Sequence, residues 1–203
     1  MPAKSVSLPP DVDKFLTVAH AYTEEFYGEQ LGLRYPRYVP SDAALFYTSL
    51  TFLQNEGLVS GNRFCEWGSG FGIACGVASL CGMEAVGIEL EQELVSRSRE
   101  LLAECQLPVE ILNLSYFPEG FDESEGHGGK DLIVPYDASA NSPYVGSPQY
   151  EGLDPEDVDV FFVYPYPDQE EMMQDLFGAI ATPGALLLMY LGDGEMAAFA
   201  HEN

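Results

Sequence analysis

The stretch Phe64-Cys65-Glu66-Trp67-Gly68-Ser69-Gly70-Phe71-Gly72 decides how this chain is read. Arg63 to Trp67 has the character of a short buried strand, and Phe71 to Leu80 has that of an apolar helix. Between them stand Gly68 and Gly70. Glycine lets the backbone turn sharply and lets a ligand approach with no Cβ in the way. Gly72 permits close packing where the helix begins.

Working outward, the strand and helix patterns alternate. Glu84 to Leu90 predicts a second strand, Glu91 to Cys105 an amphipathic helix with Leu94, Val95, Leu101, Leu102 and Cys105 on one face, and Val109 to Leu114 a third strand. Residues 118–156 form an irregular excursion rich in glycine, proline and acids, with a short strand expected at Asp131 to Tyr136; long excursions of this kind are usually functional or mobile. The run DVDVFFVYP over 157–165 is continuous in the way a central parallel strand is. A helix is expected from about Asp168, capped by Asp168 with Glu171 three residues on, as in a capping box. Its inner face is Met172, Met173, Leu176, Phe177 and Ile180. Pro183 and Gly184 turn the chain into a fifth strand, Ala185 to Leu191, and GEMAAFAHEN is expected to end it as a partial helix.

Upstream, residues 1–40 form an N-terminal extension containing a helix that Gly28 and Gly32 end. The extended stretch RYPRYVPSD follows, and Ser41 is expected to cap a helix from Asp42 to Asn55. The expected fold is α/β: three layers around a mostly parallel sheet of about five strands, in the order 3-2-1-4-5, within a domain spanning 41–203. Ligands of such sheets bind at the carboxyl ends of the strands.

Glu89 lies there, in Gly87-Ile88-Glu89-Leu90, twenty-one residues after Gly68. A carboxylate in that place can accept hydrogen bonds from both hydroxyls of a ribose. The dinucleotide fingerprint G-x-G-x-x-G would need a third glycine where Ile73 stands, which argues against a nicotinamide oxidoreductase. What stands instead is Glu66-x-Gly68-x-Gly70-x-Gly72. This resembles motif I of the class I methyltransferases that use S-adenosylmethionine, and the GIEL segment resembles the motif that follows it.

The resemblance implies a Rossmann-like methyltransferase fold with S-adenosylmethionine as cofactor. It implies that the loop of Glu66, Trp67, Gly68, Ser69, Gly70 and Gly72 holds the methionine part, and that Glu89, with Leu90 beside it, binds the ribose. After the third strand the family often carries an acid near the adenine. Ser115 stands in its place here, and Tyr116 or Phe117 is available to pack on the ring. The fourth strand ends where the family meets the transferable methyl, at Tyr164-Pro165-Tyr166-Pro167-Asp168. That run only loosely resembles the motif of amino-methylating nucleic acid enzymes, because the leading acid or amide is missing. Tyr164, Tyr166 and His127 are the candidate catalytic residues, His127 as a base of near-neutral pKa. Tyr38 and Ser41 are candidates to cover the cofactor. The last two strands of the family sheet are expected to be absent. The bare fifth strand would then be covered by the N-terminal segment, the excursion or a second subunit, which allows a homo-oligomer.

Composition narrows the partners. Eight Lys plus Arg stand against 33 Asp plus Glu, a net charge of −25. No basic patch for phosphates can be assembled, which disfavours nucleic acid and anionic membranes as partners. The field either attracts amines and basic proteins or belongs to a solvated acidic surface that only keeps the protein soluble. An amine or protein lysine is thus the acceptor class the charge favours, consistent with a loose resemblance to non-SET histone-lysine methyltransferases. The alternative is a non-catalytic S-adenosylmethionine-binding or regulatory protein with a degenerate site. Cys65, Cys75, Cys81 and Cys105 form no C-x-x-C pair and no zinc spacing, so no metal is expected. With no signal-peptide pattern, the expected compartment is the cytoplasm.

Overall fold

The computed structural model describes residues 7–117, 150 and 152–201. The expected strand over 131–136 and His127 lie outside these residues.

The elements run α1 (Pro10–Gly28), α2 (Leu31–Arg34), α3 (Ala43–Asn55), β1 (Arg63–Trp67), α4 (Ile73–Leu80), β2 (Glu84–Ile88), α5 (Gln92–Glu104), β3 (Glu110–Leu112), β4 (Val160–Val163), α6 (Glu170–Ile180), β5 (Leu186–Gly192) and β6 (Glu195–Ala200). They build one sheet in the order β3-β2-β1-β4-β5-β6. The first five strands are parallel, and β6 returns antiparallel along β5.

Burial explains the order. β4 reads Val-Phe-Phe-Val and is buried at every position, with helices covering both faces. A fully buried side chain of this kind contributes roughly 1.5–3 kcal/mol relative to an exposed one. One core cluster joins Phe46, Phe64, Phe162 and Leu188 with α1, α3, α4 and α5. The other joins Cys65, Trp67, Phe161 and Leu187 with α6. Helix α1 buries Val12, Phe15, Ala19 and Phe26, which recur on one helical face. Gly76 in α4 is where the Phe15 ring rests, so the two helices pack with no side chain between them.

Several expectations change. The sheet has six strands, because the chain after Gly192 forms β6 and not a helix. Asp193 and Gly194 both take positive φ, 49° and 78°, and link β5 to β6 as a two-residue hairpin loop. The edge of β5 is therefore covered by the chain's own next strand. Asp42, not Ser41, caps α3: its carboxylate accepts from the Leu45 N–H at 2.9 Å. Asp168 does not cap α6. It takes φ 69°, Gln169 occupies the cap position, and Gln169 makes no side-chain cap bond. All four cysteines are free. Among the described residues no helix is long and apolar enough to cross a membrane.

Candidate functional site

Parallel register sets the site. Trp67 of β1 pairs with Ile88 of β2 and with Val163 of β4, so the three strands end level. Residues 68, 89 and 164 therefore leave the sheet side by side at its carboxyl edge. A cavity of about 370 Å³ opens there, within the roughly 300–1,000 Å³ usual for small-molecule sites. Glu66, Trp67, Gly68, Ser69, Gly70, Glu89, Leu90, Ser115, Tyr116, Tyr164 and Tyr166 all line it. Gly72 does not. It is the N-cap of α4 at φ 66°, and a Cβ there would meet the Ser98 hydroxyl at 2.7 Å. Its place is packing between α4 and α5.

The glycine turn is held from below. The Ser69 N–H donates to the Ile88 carbonyl at 2.9 Å, and the Gly72 N–H donates to the Ser69 carbonyl at 2.7 Å. At Gly68 a Cβ would have open space, with Tyr116 the nearest group at 3.9 Å. That is room for a ligand. At Gly70, φ is 52° and a Cβ would stand 2.6 Å from the Tyr38 ring.

Two buried acids flank the turn. The Glu89 side chain accepts from the Gly70 N–H on Oε2 (2.8 Å) and from the Glu91 N–H on Oε1 (2.9 Å). A carboxylate offers about four acceptor sites, so both oxygens keep capacity for a ligand. Burial raises the Glu89 pKa, while the backbone N–H groups of Glu91 and Gly70 pull it down. Asn113 steadies the segment by donating to the carbonyls of Glu89 (3.0 Å) and Leu90 (2.9 Å). Glu66 accepts from the N–H and the Sγ of Cys75, each at 3.1 Å. Burial pushes the Glu66 pKa up to about 8 against those two bonds.

Tyr116 lies nearly parallel to Trp67, with ring centroids 6.2 Å apart. The Ser115 hydroxyl accepts from the Phe117 N–H at 3.1 Å. Tyr164 sits edge-on to Tyr190 at 4.4 Å, and burial raises its pKa. Tyr166 donates its hydroxyl proton to the Arg37 carbonyl at 2.6 Å, and burial pushes its pKa up to about 12. Neither tyrosine is a proton acceptor near neutral pH.

The sequence reading missed part of this wall. Arg34, Arg37, Val39 and Pro40 line the cavity along with Tyr38 and Ser41, so the whole stretch before α3 forms one side of it. The signal was present in its proline-punctuated composition, but its contact with residues 164–167 spans more than a hundred positions. Gln169, 3% exposed, also lines the cavity from the start of α6.

No protein-family model matches the chain, and no curated protein matches it in sequence. Solved structures do match. An RNA methyltransferase from Salinibacter ruber, solved with S-adenosyl-L-homocysteine, aligns at TM-score 0.51 and 14% identity, covering 81% of this chain and 95% of that one. A methyltransferase from Geobacter sulfurreducens aligns at TM-score 0.49 and 14% identity, covering 91% of this chain and 74% of that one. A precorrin-6y C5,15-methyltransferase from Geobacter metallireducens aligns at TM-score 0.40 and 12% identity, covering 66% of this chain and 56% of that one. At such identities the likeness is one of fold, and the Salinibacter protein carries it. The chain has the α/β fold of the class I, S-adenosylmethionine-dependent methyltransferases.

Proposed function

We propose that this chain is a methyltransferase that takes its methyl group from S-adenosylmethionine and gives it to an amine-bearing acceptor. The observation that carries the reading is Glu89: a buried carboxylate lining the cavity, fixed by two backbone N–H groups, with acceptor capacity to spare.

The residues present fit the cofactor. Glu89 would hold the ribose hydroxyls. Gly68 leaves open the space that a Cβ would fill, and Glu66 beside it, held protonated by burial in the free protein, would ionise against the methionine ammonium. Tyr116 and Leu90 offer faces for the adenine. Bound there, the cofactor supplies a methyl group activated on a sulfonium. The chain's part is alignment, since a positioned nucleophile can react without strong acid–base help. Tyr164, Pro165 and Pro167 wall the acceptor side, and Tyr164, beside Tyr190, keeps its proton.

The net charge of −25 supports a cationic acceptor and opposes a polynucleotide. That the Salinibacter protein acts on RNA does not transfer at 14% identity. Incubation with methyl-labelled S-adenosylmethionine and a panel of amines, basic proteins and RNA is the test. Label on an amine or basic protein, lost in Glu89→Ala, supports the reading. Label on RNA alone would contradict the acceptor class. A second reading, binding without turnover, is favoured by one observation: the Tyr166 hydroxyl is committed to Arg37. Tight binding with no label transferred to any acceptor would select it.

A further inference from the structure

The residues Tyr35 to Ser41 cross one side of the cavity as a strap between α2 and α3. Two groups from distant parts of the chain hold it. On the inner side, the Tyr38 ring closes over Gly70 within an aromatic cluster, 4.7 Å from Phe71 and 5.3 Å from Phe26. The Tyr27 hydroxyl donates to the Tyr38 carbonyl at 3.3 Å. On the outer side, the Tyr166 hydroxyl donates to the Arg37 carbonyl at 2.6 Å, across 129 positions of sequence. Tyr166 belongs to the Tyr164–Pro167 segment after β4, which forms the facing wall of the same cavity. One side-chain hydrogen bond thus joins the wall next to the glycine turn to the wall on the acceptor side.

We infer that Tyr166 is a positioning residue: a latch that holds the Tyr35–Ser41 strap shut across the cavity, so that ligand entry and release require the Tyr166–Arg37 hydrogen bond to open.

The chemistry suits a latch. The strap is neither helix nor strand, and its own backbone bonds are local: the Tyr35 N–H donates to the Leu31 carbonyl and the Tyr38 N–H to the Tyr35 carbonyl. Pro36 and Pro40 fix φ at two points, which stiffens the strap between them. The Tyr166 hydroxyl retains the proton it donates across the working pH range, since burial holds its pKa near 12. A neutral hydrogen bond contributes modestly, enough to bias a lid without locking it. The strap's role in retaining cofactor rests on the function proposed above; the latch does not.

Trypsin reads the strap directly, because Arg34 and Arg37 lie at its start and within it. The experiment compares cleavage rates after Arg37 in the full chain, by mass spectrometry, for wild type, Tyr166→Phe and Tyr164→Phe. Cleavage after Arg97, tied in α5 to Glu25 of α1 and to Glu29 just beyond it, serves as the reference for global loosening. The expected result is cleavage after Arg37 about threefold to tenfold faster in Tyr166→Phe. The rate after Arg97 stays unchanged, and Tyr164→Phe behaves as wild type. S-adenosylhomocysteine then slows the Arg37 cut in wild type, and less so in Tyr166→Phe. An unchanged Arg37 rate, or one that rises in step with Arg97, overturns the latch. Acceleration in Tyr166→Phe without protection of wild type by S-adenosylhomocysteine upholds the latch and overturns the cofactor reading.

Discussion

Gly70 is where conformation, packing and ligand contact meet in one residue. Its φ of 52° disfavours any side chain, and a Cβ would press on the Tyr38 ring at 2.6 Å. Its N–H also fixes Glu89. Gly70→Ala is therefore expected to lower stability by about 1–3 kcal/mol, from left-handed backbone plus overpacking, and to weaken S-adenosylhomocysteine binding at least tenfold. Thermal unfolding and calorimetry check the two effects separately. Glu66 makes a pH prediction. Its folded pKa is pushed up to about 8, above the ordinary carboxylate value of 4.5, by burial. The stability it contributes is complete below that ordinary value, is lost as pH rises toward about 8, and then levels off, at up to about 1.4 kcal/mol per pH unit. Glu89 acts in the same direction, so Glu66→Gln should flatten the slope without abolishing it. Urea unfolding at pH 5.5, 7 and 8.5 measures this, and an unchanged slope in Glu66→Gln would contradict the buried-acid account.

At the scale of elements, the β5–β6 hairpin separates what the sequence makes legible from what it hides. Local composition favours a helix in GEMAAFA, since alanine, methionine and glutamate are good helix formers. Pairing with the buried β5 overrides that preference. The decisive signal is Asp193-Gly194, a strong two-residue hairpin turn. Gly194 has φ 78° and nothing within 4 Å of its Cβ position, so Gly194→Ala tests conformation alone. It should cost about 1–2 kcal/mol in unfolding free energy. Asp168 is the converse case. Its sequence pattern matches a helix cap, but the turn closed by the Gln169 N–H on the Tyr166 carbonyl places it at φ 69°. Local rules identified β1, β2, β4 and the glycine turn because each is a strong local pattern bounded by punctuation. They reached Tyr38 and Ser41 but not the rest of the strap, because its partners Gly70 and Tyr166 are distant in sequence and meet it only once the sheet has formed.

For the whole molecule, parallel register brings the ends of β1, β2 and β4 level, and every candidate cofactor residue but Gly72 and Phe117 lines one cavity at that edge. The acceptor proposal rests on the net charge of −25 and not on the fold, which hosts many functions in other proteins. On the proposed function, Glu89 and the glycine turn bind S-adenosylmethionine. Calorimetric titration of the full chain with S-adenosylmethionine, S-adenosylhomocysteine and NAD, on wild type and on folded Glu89→Ala, tests it most directly. The expected result is one site for each of the first two ligands, no binding of NAD, and loss of at least tenfold in affinity in Glu89→Ala. Folded wild type that binds neither S-adenosyl ligand, or a Glu89→Ala variant that binds as well as wild type, would contradict it.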